Sequence, residues 1–116
     1  MNMYNNLEIW KESIQLVKDI YKKSEELPKS EEYIIKKQLK RAVLSVALNI
    51  AEGKNRRTSK DFANFLVMSS GSLSEVEALL EICVELGFFA EDKLISEKVT
   101  RLSKRINALR SRLQGN

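Results

Sequence analysis

Residues 30–53 read SEEYIIKKQLKRAVLSVALNIAEG. Ile35, Leu39, Ala42, Val43, Val46, Ala47 and Ile50 recur there at spacings of three and four, with shorter steps between neighbours. That period makes a broad apolar face on one α-helix. Ser30 stands ahead of the face, and Glu31 and Glu32 fall in the first turn, where negative charge suits the positive end of the helix dipole. Gly53 follows the last apolar residue and is expected to close the helix in a left-handed conformation. The stretch therefore predicts a helix over about residues 31–52, apolar over a wide arc.

The same period continues in both directions. Upstream, Leu7, Trp10, Ile14, Val17 and Tyr21 form one stripe, Asn5 and Glu8 have capping-box spacing, and Pro28 stops a first helix of about residues 7–26. Downstream, Thr58 and Asp61 open a third helix over about 59–86. Its seam is Phe62, Leu66, Ser69, Leu73, Val76, Leu80 and Cys83, and Phe65, Ser72, Leu79 and Leu86 lie on a neighbouring face. Gly87 ends it. Gly71, in its middle, implies a close backbone approach or a kink. Ile95, Val99, Leu102, Ile106, Leu109 and Leu113 form a strict seam on a fourth helix of about 92–113. Short connections leave neighbouring helices antiparallel. The expected fold is all-α: a single domain over 1–116, an antiparallel up-down-up-down four-helix bundle. The second and third helices are apolar on more than their core side, which calls for a second covering surface, most simply another subunit.

Composition agrees and narrows the function. The 116 residues include 4 Gly and 1 Pro, too few turn formers for an all-β fold. With 1 Cys no disulfide can form within the chain, and with no His the commonest general base and metal ligand is missing. We expect neither an enzyme nor a resident cofactor or metal. Glu75, Glu77 and Glu81 lack the His partners of a di-iron bundle, and Cys83 falls on the core seam, where it reads as a small hydrophobe. The polar start and the lack of a long apolar run predict a soluble, cytoplasmic protein with no membrane partner.

The formal net charge is +4. Lys36, Lys37, Lys40, Arg41, Lys54, Arg56, Arg57 and Lys60 are opposed between 36 and 60 only by Glu52. Cations on one surface would attract nucleic-acid phosphates without reading sequence. The candidate contacts are Lys36, Lys37, Lys40, Lys54, Arg56, Arg57 and Lys60. They are divided between the ends of a helix about 30 Å long at about 1.5 Å per residue, so a stripe is expected and not one compact patch. The third helix carries Asp61, Glu75, Glu77, Glu81 and Glu85, and no Lys or Arg occurs from Asp61 to Asp92. The fourth is rich in Lys and Arg, and ion pairs between these two helices are expected. Gln38, Arg41, Ser45, Asn49 and Glu52 form a polar row beside the apolar face of the second helix. Arg41 and Glu52 are about 16 Å apart along it, so each needs a partner on another helix or subunit. The row reads as a polar network or subunit interface.

The run from Gln38 to Gly53, with Gln38-x-x-Arg41-Ala42 and Asn49-Ile50-Ala51-Glu52-Gly53, resembles the signature of the 23S ribosomal RNA intervening-sequence protein family. Arg57, Ser59, Phe62, Phe65-Leu66, Gly71-Ser72, Glu75 and Glu77 continue the resemblance. Leu7, Trp10, Tyr21, Pro28, Glu32 and Tyr33 fit its opening. It covers about residues 7–90. Ala47 stands where the family often has Pro, and Leu27 where Phe is common; both bear on packing. The resemblance implies a bacterial four-helix bundle and a relationship to the accessory variability determinant of diversity-generating retroelements. That relative is a homopentameric barrel with a basic surface that associates with nucleic acid and a reverse transcriptase. A homo-oligomeric ring, structured RNA or other nucleic acid, and a protein such as a reverse transcriptase are the partners it implies. The alternative is a protein-interaction scaffold or accessory subunit that does not touch nucleic acid.

Overall fold

The structure is a computed structural model that describes the backbone of residues 3–115 and the side chains of residues 8–115. The described residues form α1 (Met3–Ser24), a 3-10 turn (Lys29–Glu31), α2 (Ile35–Lys54), α3 (Ser59–Glu85) and α4 (Lys93–Leu113). They contain no strand, and the bundle measures 45 × 25 × 18 Å. Contacts between helices run in opposite directions along the chain. Ser45 meets Ser72 and Gln38 meets Glu75 across α2 and α3, and Asp19 meets Lys98 and Glu12 meets Arg105 across α1 and α4. The helices alternate up and down, as expected.

α4 follows its predicted seam: Ile95, Val99, Leu102, Ile106 and Leu109 are buried, and Leu113 packs at the edge. Asp92 caps it by accepting the Ile95 N–H at 3.1 Å. α3 is capped as predicted, with Thr58 Oγ1 accepting the Asp61 N–H at 3.1 Å. Its seam is buried except for Leu80, which is half-buried. Gly87 ends it at φ +77°, with the Phe88 N–H donating to the Cys83 carbonyl and the Gly87 N–H to Val84. This paired closure requires a left-handed residue, which glycine supplies. Cys83 is fully buried, and burial pushes its thiol up, away from thiolate chemistry.

Four expectations are corrected. The apolar stripe of α1 is rotated. Ile9, Ser13, Leu16, Ile20 and Ser24 are the buried residues, while Trp10, Ile14 and Val17 flank them and Tyr21 is exposed. Two of the buried positions are serines, whose hydroxyls each return to the carbonyl three residues back at 2.7 Å. A hydroxyl satisfied within its own helix can face a core at little cost. The predicted start is also moved: α1 begins at Met3, so Asn5 lies inside the helix, and the side chains of Asn5 and Leu7 fall outside the described residues.

The second correction concerns the start of α2. Ser30 does not cap it; the Ser30 hydroxyl turns to the Glu31 carboxylate. The chain makes a 3-10 turn and reaches α-geometry only at Ile35, leaving Tyr33 and Ile34 exposed.

Third, Gly53 is no cap. It lies within α2, buried, where a Cβ would stand 2.8 Å from Phe62 Cδ1 and 2.9 Å from Phe65 Cβ. It is there because α3 comes in too close for a side chain. Fourth, a Cβ on Gly71 would meet nothing within 4 Å, and α3 runs unbroken through it. Gly71 therefore marks no close approach within the chain.

Candidate nucleic-acid interface

The seven candidate cations behave differently. Lys36 is committed: its ammonium lies 2.7 Å from Glu25 and 3.1 Å from Glu32. The hydrogen bonds from Lys36 hold the Glu25 carboxyl below its ordinary range, and those to Glu25 and Glu32 raise the Lys36 ammonium. Lys40 lies over the Tyr21 ring at 4.8 Å and Lys54 over the Trp10 ring at 4.9 Å. Those two cations pin α2 to α1 while remaining at the surface. Arg56 pairs with Glu52 at 2.7 Å and stacks on Phe65 at 4.5 Å. Lys37, Arg57 and Lys60 are exposed and have no hydrogen bond, ion pair or ring contact among the described residues.

Topology regroups them. Lys36, Lys37 and Lys40 lie toward the start of α2. Lys54, Arg56, Arg57 and Lys60 lie at the opposite end of the bundle, where α2 passes into α3. Because the helices alternate, α4 finishes at that second end and brings Arg110 and Arg112 to it. The basic end is therefore built from two places in sequence. In sequence the fourth helix stands apart as an ion-pairing element; the antiparallel order of the helices creates this juxtaposition. The N-termini of α1 and α3 and the C-termini of α2 and α4 meet at that end, so the helix dipoles largely cancel and the side-chain cations set the field.

The ion pairs of α4 also differ from expectation. Lys98 and Arg105 pair with α1 and not with α3: Lys98 with Asp19 at 2.6 Å, and Arg105 with Glu12 at 2.7 Å and Glu8 at 3.5 Å. Glu8, Glu12 and Asp19 share one face of α1, so register selects them over the carboxylates of α3. The opposite end of the bundle carries Glu81, Glu85, Glu91 and Asp92 at the α3–α4 connection, so the molecule has a basic end and an end with an acidic side.

The polar row on α2 is a network within the chain. Gln38 donates to Glu75 at 2.5 Å, the Ser45 and Ser72 hydroxyls meet at 2.7 Å, and Asn49 donates to the Ser45 carbonyl and hydroxyl. Ser69 adds a buried bond to the Val46 carbonyl at 2.8 Å. Glu52 does not need a second helix, since Arg56 is one turn on. Arg41 stays exposed without a partner among the described residues. Outside this network, α2 and α3 present Leu44, Leu48, Met68, Ile82 and Leu86 to solvent. Among the described residues no three acidic or thiol groups gather as a metal site, and no helix is long and apolar enough to cross a membrane.

The family model of the 23S rRNA-intervening sequence protein matches residues 5–108. The chain belongs to that family. Among solved structures, the chain is similar to a protein of unknown function from the S23 ribosomal protein family of Bacteroides thetaiotaomicron. The TM-score is 0.84 at 19% identity, covering 92% of this chain and 98% of that one. At that identity the likeness speaks for the fold. No curated protein matches the chain.

Proposed function

We propose that this chain is a non-enzymatic, cytoplasmic helical protein that binds structured RNA or another nucleic acid through backbone phosphates. The observation that carries the reading is the basic end of the bundle. There Arg57 and Lys60 stand exposed and unengaged beside Lys54 and the close of α4. Exposed cations on a loop and a first turn are free to meet phosphates without giving up an internal pair. Lys36 and Arg56 leave the primary contact set, because binding through them would break ion pairs. Lys37 and Arg41 form a second, smaller group toward the other end.

Self-assembly belongs to the same proposal. The exposed row of Leu48, Met68, Ile82 and Leu86 on α2 and α3 supports a homo-oligomer, in the form of the homopentameric ring that the family resemblance implies. A ring would repeat the basic end around an axis and turn weak contacts into avid ones. The same apolar row favours the second reading, a scaffold that docks a protein partner such as a reverse transcriptase.

The test is capture from lysate with and without nuclease, using the wild type and an Arg57→Ala/Lys60→Ala variant. Nucleic acid recovered with the wild type and lost with the variant upholds the first reading. A protein partner that survives nuclease and is held equally by both proteins upholds the scaffold.

A further inference from the structure

A cleft of about 240 Å³ lies between the C-terminal half of α3 and the first two turns of α4. Leu80 and Val84 of α3, Ile95 and Val99 of α4, and Phe89 of the connection give it an apolar lining. Carboxylates stand on two sides: Glu77 and Glu81, one turn apart on α3, and Glu91 and Asp92 at the start of α4. Glu77, Glu81 and Glu91 have no hydrogen bond or ion pair among the described residues, and Asp92 uses one oxygen as the α4 cap. The single cation in the lining is Lys23, whose ammonium sits 4.6 Å from the centre of the Phe89 ring and 3.3 Å from Glu26.

These features specify a ligand chemistry. The acidic lining repels phosphate and carboxylate ligands. The carboxylates do not converge as a metal-binding group, so a compact divalent ion finds no set of ligands. The volume falls below the roughly 300–1,000 Å³ of sites for drug-sized molecules, which suits a slim chain. An alkylammonium already rests on Phe89 in the form of Lys23, so the cleft itself displays the contact it would offer. Two separated acidic pairs with hydrocarbon between them match a ligand with two separated cations joined by methylenes.

We propose that this cleft binds a linear alkyl diamine or polyamine. One ammonium faces Glu77 and Glu81, another faces Glu91 and Asp92, and the methylene spacer lies on Leu80, Val84 and Val99. The site is at the far end of the bundle from the basic surface and does not depend on nucleic-acid binding.

The experiment is calorimetric titration with spermidine, 1,4-diaminobutane and butylamine at fixed ionic strength, with magnesium as competitor. Saturable binding of spermidine is expected, with butylamine weaker by tenfold or more. Glu77→Gln/Glu81→Gln should weaken spermidine at least tenfold, while the charge-matched Asp61→Asn/Glu97→Gln should change it less than twofold. Lys23→Met removes the resident ammonium and should tighten binding threefold or more. Circular dichroism checks that each variant is folded. Absence of saturable binding, equal loss in the two charge-matched variants, displacement by magnesium beyond the effect of ionic strength, or a Lys23→Met protein that binds no tighter overturns the proposal.

Discussion

Replacing Gly53 with alanine should destabilise the bundle, although alanine is the better helix former. In an open helical position the exchange gains about 1 kcal/mol. At Gly53 the new methyl would stand 2.8 Å from Phe62 Cδ1, 2.9 Å from Phe65 Cβ and 3.2 Å from Phe62 Cε1. The Phe62 ring is enclosed in the core, and a Cβ moves only with its backbone, so neither neighbour yields easily. Overpacking of this kind costs about 1–3 kcal/mol, which outweighs the helical gain and leaves a net loss of about 1 kcal/mol. Unfolding entropy scales to about 0.24 kcal/mol/K for a chain of this length, so the melting temperature should fall by about 4 °C. Gly71→Ala is the reference. It is mid-helix with nothing within 4 Å of its Cβ, and it should raise the melting temperature by about the same amount. Thermal and urea unfolding of both variants, at two protein concentrations a hundredfold apart, separates these effects from assembly. A Gly53→Ala protein as stable as the wild type, or more so, would refute the close-packing argument.

Removing the helix caps tests two local assignments: Thr58→Ala and Asp92→Ala should each cost about 1 kcal/mol in urea unfolding, and replacement by Ser or Asn should restore most of it. Ile106→Ala, at the centre of the α4 seam, should lose about 2–5 kcal/mol, whereas Leu94→Ala at an exposed position should stay within about 0.5 kcal/mol. The Glu25–Lys36 pair gives a signed pH dependence. Because the Glu25 carboxyl is lowered, its contribution is complete above the ordinary carboxylate range and disappears as pH falls through the lowered value. Because Lys36 is raised, its contribution is complete below the ordinary lysine range and disappears as pH rises through the raised value. In Lys36→Met, a carboxyl-detected NMR titration should find Glu25 returned upward to the ordinary range; an unmoved titration would contradict the assignment.

The pattern of α4 was fully legible because every buried position is a branched aliphatic, so period and core coincide. The caps at Thr58 and the closure at Gly87 were legible for a similar reason: each feature is local, and a few residues determine it. α1 was misread by one position around its axis. Ser13 and Ser24 carry no hydrophobic signal, yet their hydroxyls are satisfied inside the helix, and the half-buried Trp10 and Val17 outweighed them. Gly53 shows the limit of local reasoning, since a glycine near a helix end looks the same whether a turn or an approaching phenylalanine requires it. The polar row on α2 was visible as a row, but its partners Ser72 and Glu75 come from another helix in a register that periodicity does not define. The candidate cations were chosen on charge and position alone. Which of them are engaged depended on Glu25 and Glu32, Tyr21 and Trp10, and Glu52 and Phe65, and the contribution of α4 to the basic end depended on topology.

The central claim is that the basic end of the bundle meets phosphates, and it is tested most directly by binding to a structured ribosomal RNA fragment across a salt series. The account predicts saturable binding whose logarithm falls linearly with the logarithm of salt concentration. Arg57→Ala/Lys60→Ala should flatten that slope by about 1.5, near 0.7–0.9 per lost contact, and weaken binding at every salt concentration. Lys36→Met should leave the slope nearly unchanged, since Lys36 is held by Glu25 and Glu32. No binding at low salt, or a slope indifferent to Arg57 and Lys60, would contradict the account and leave the basic end as solvated charge.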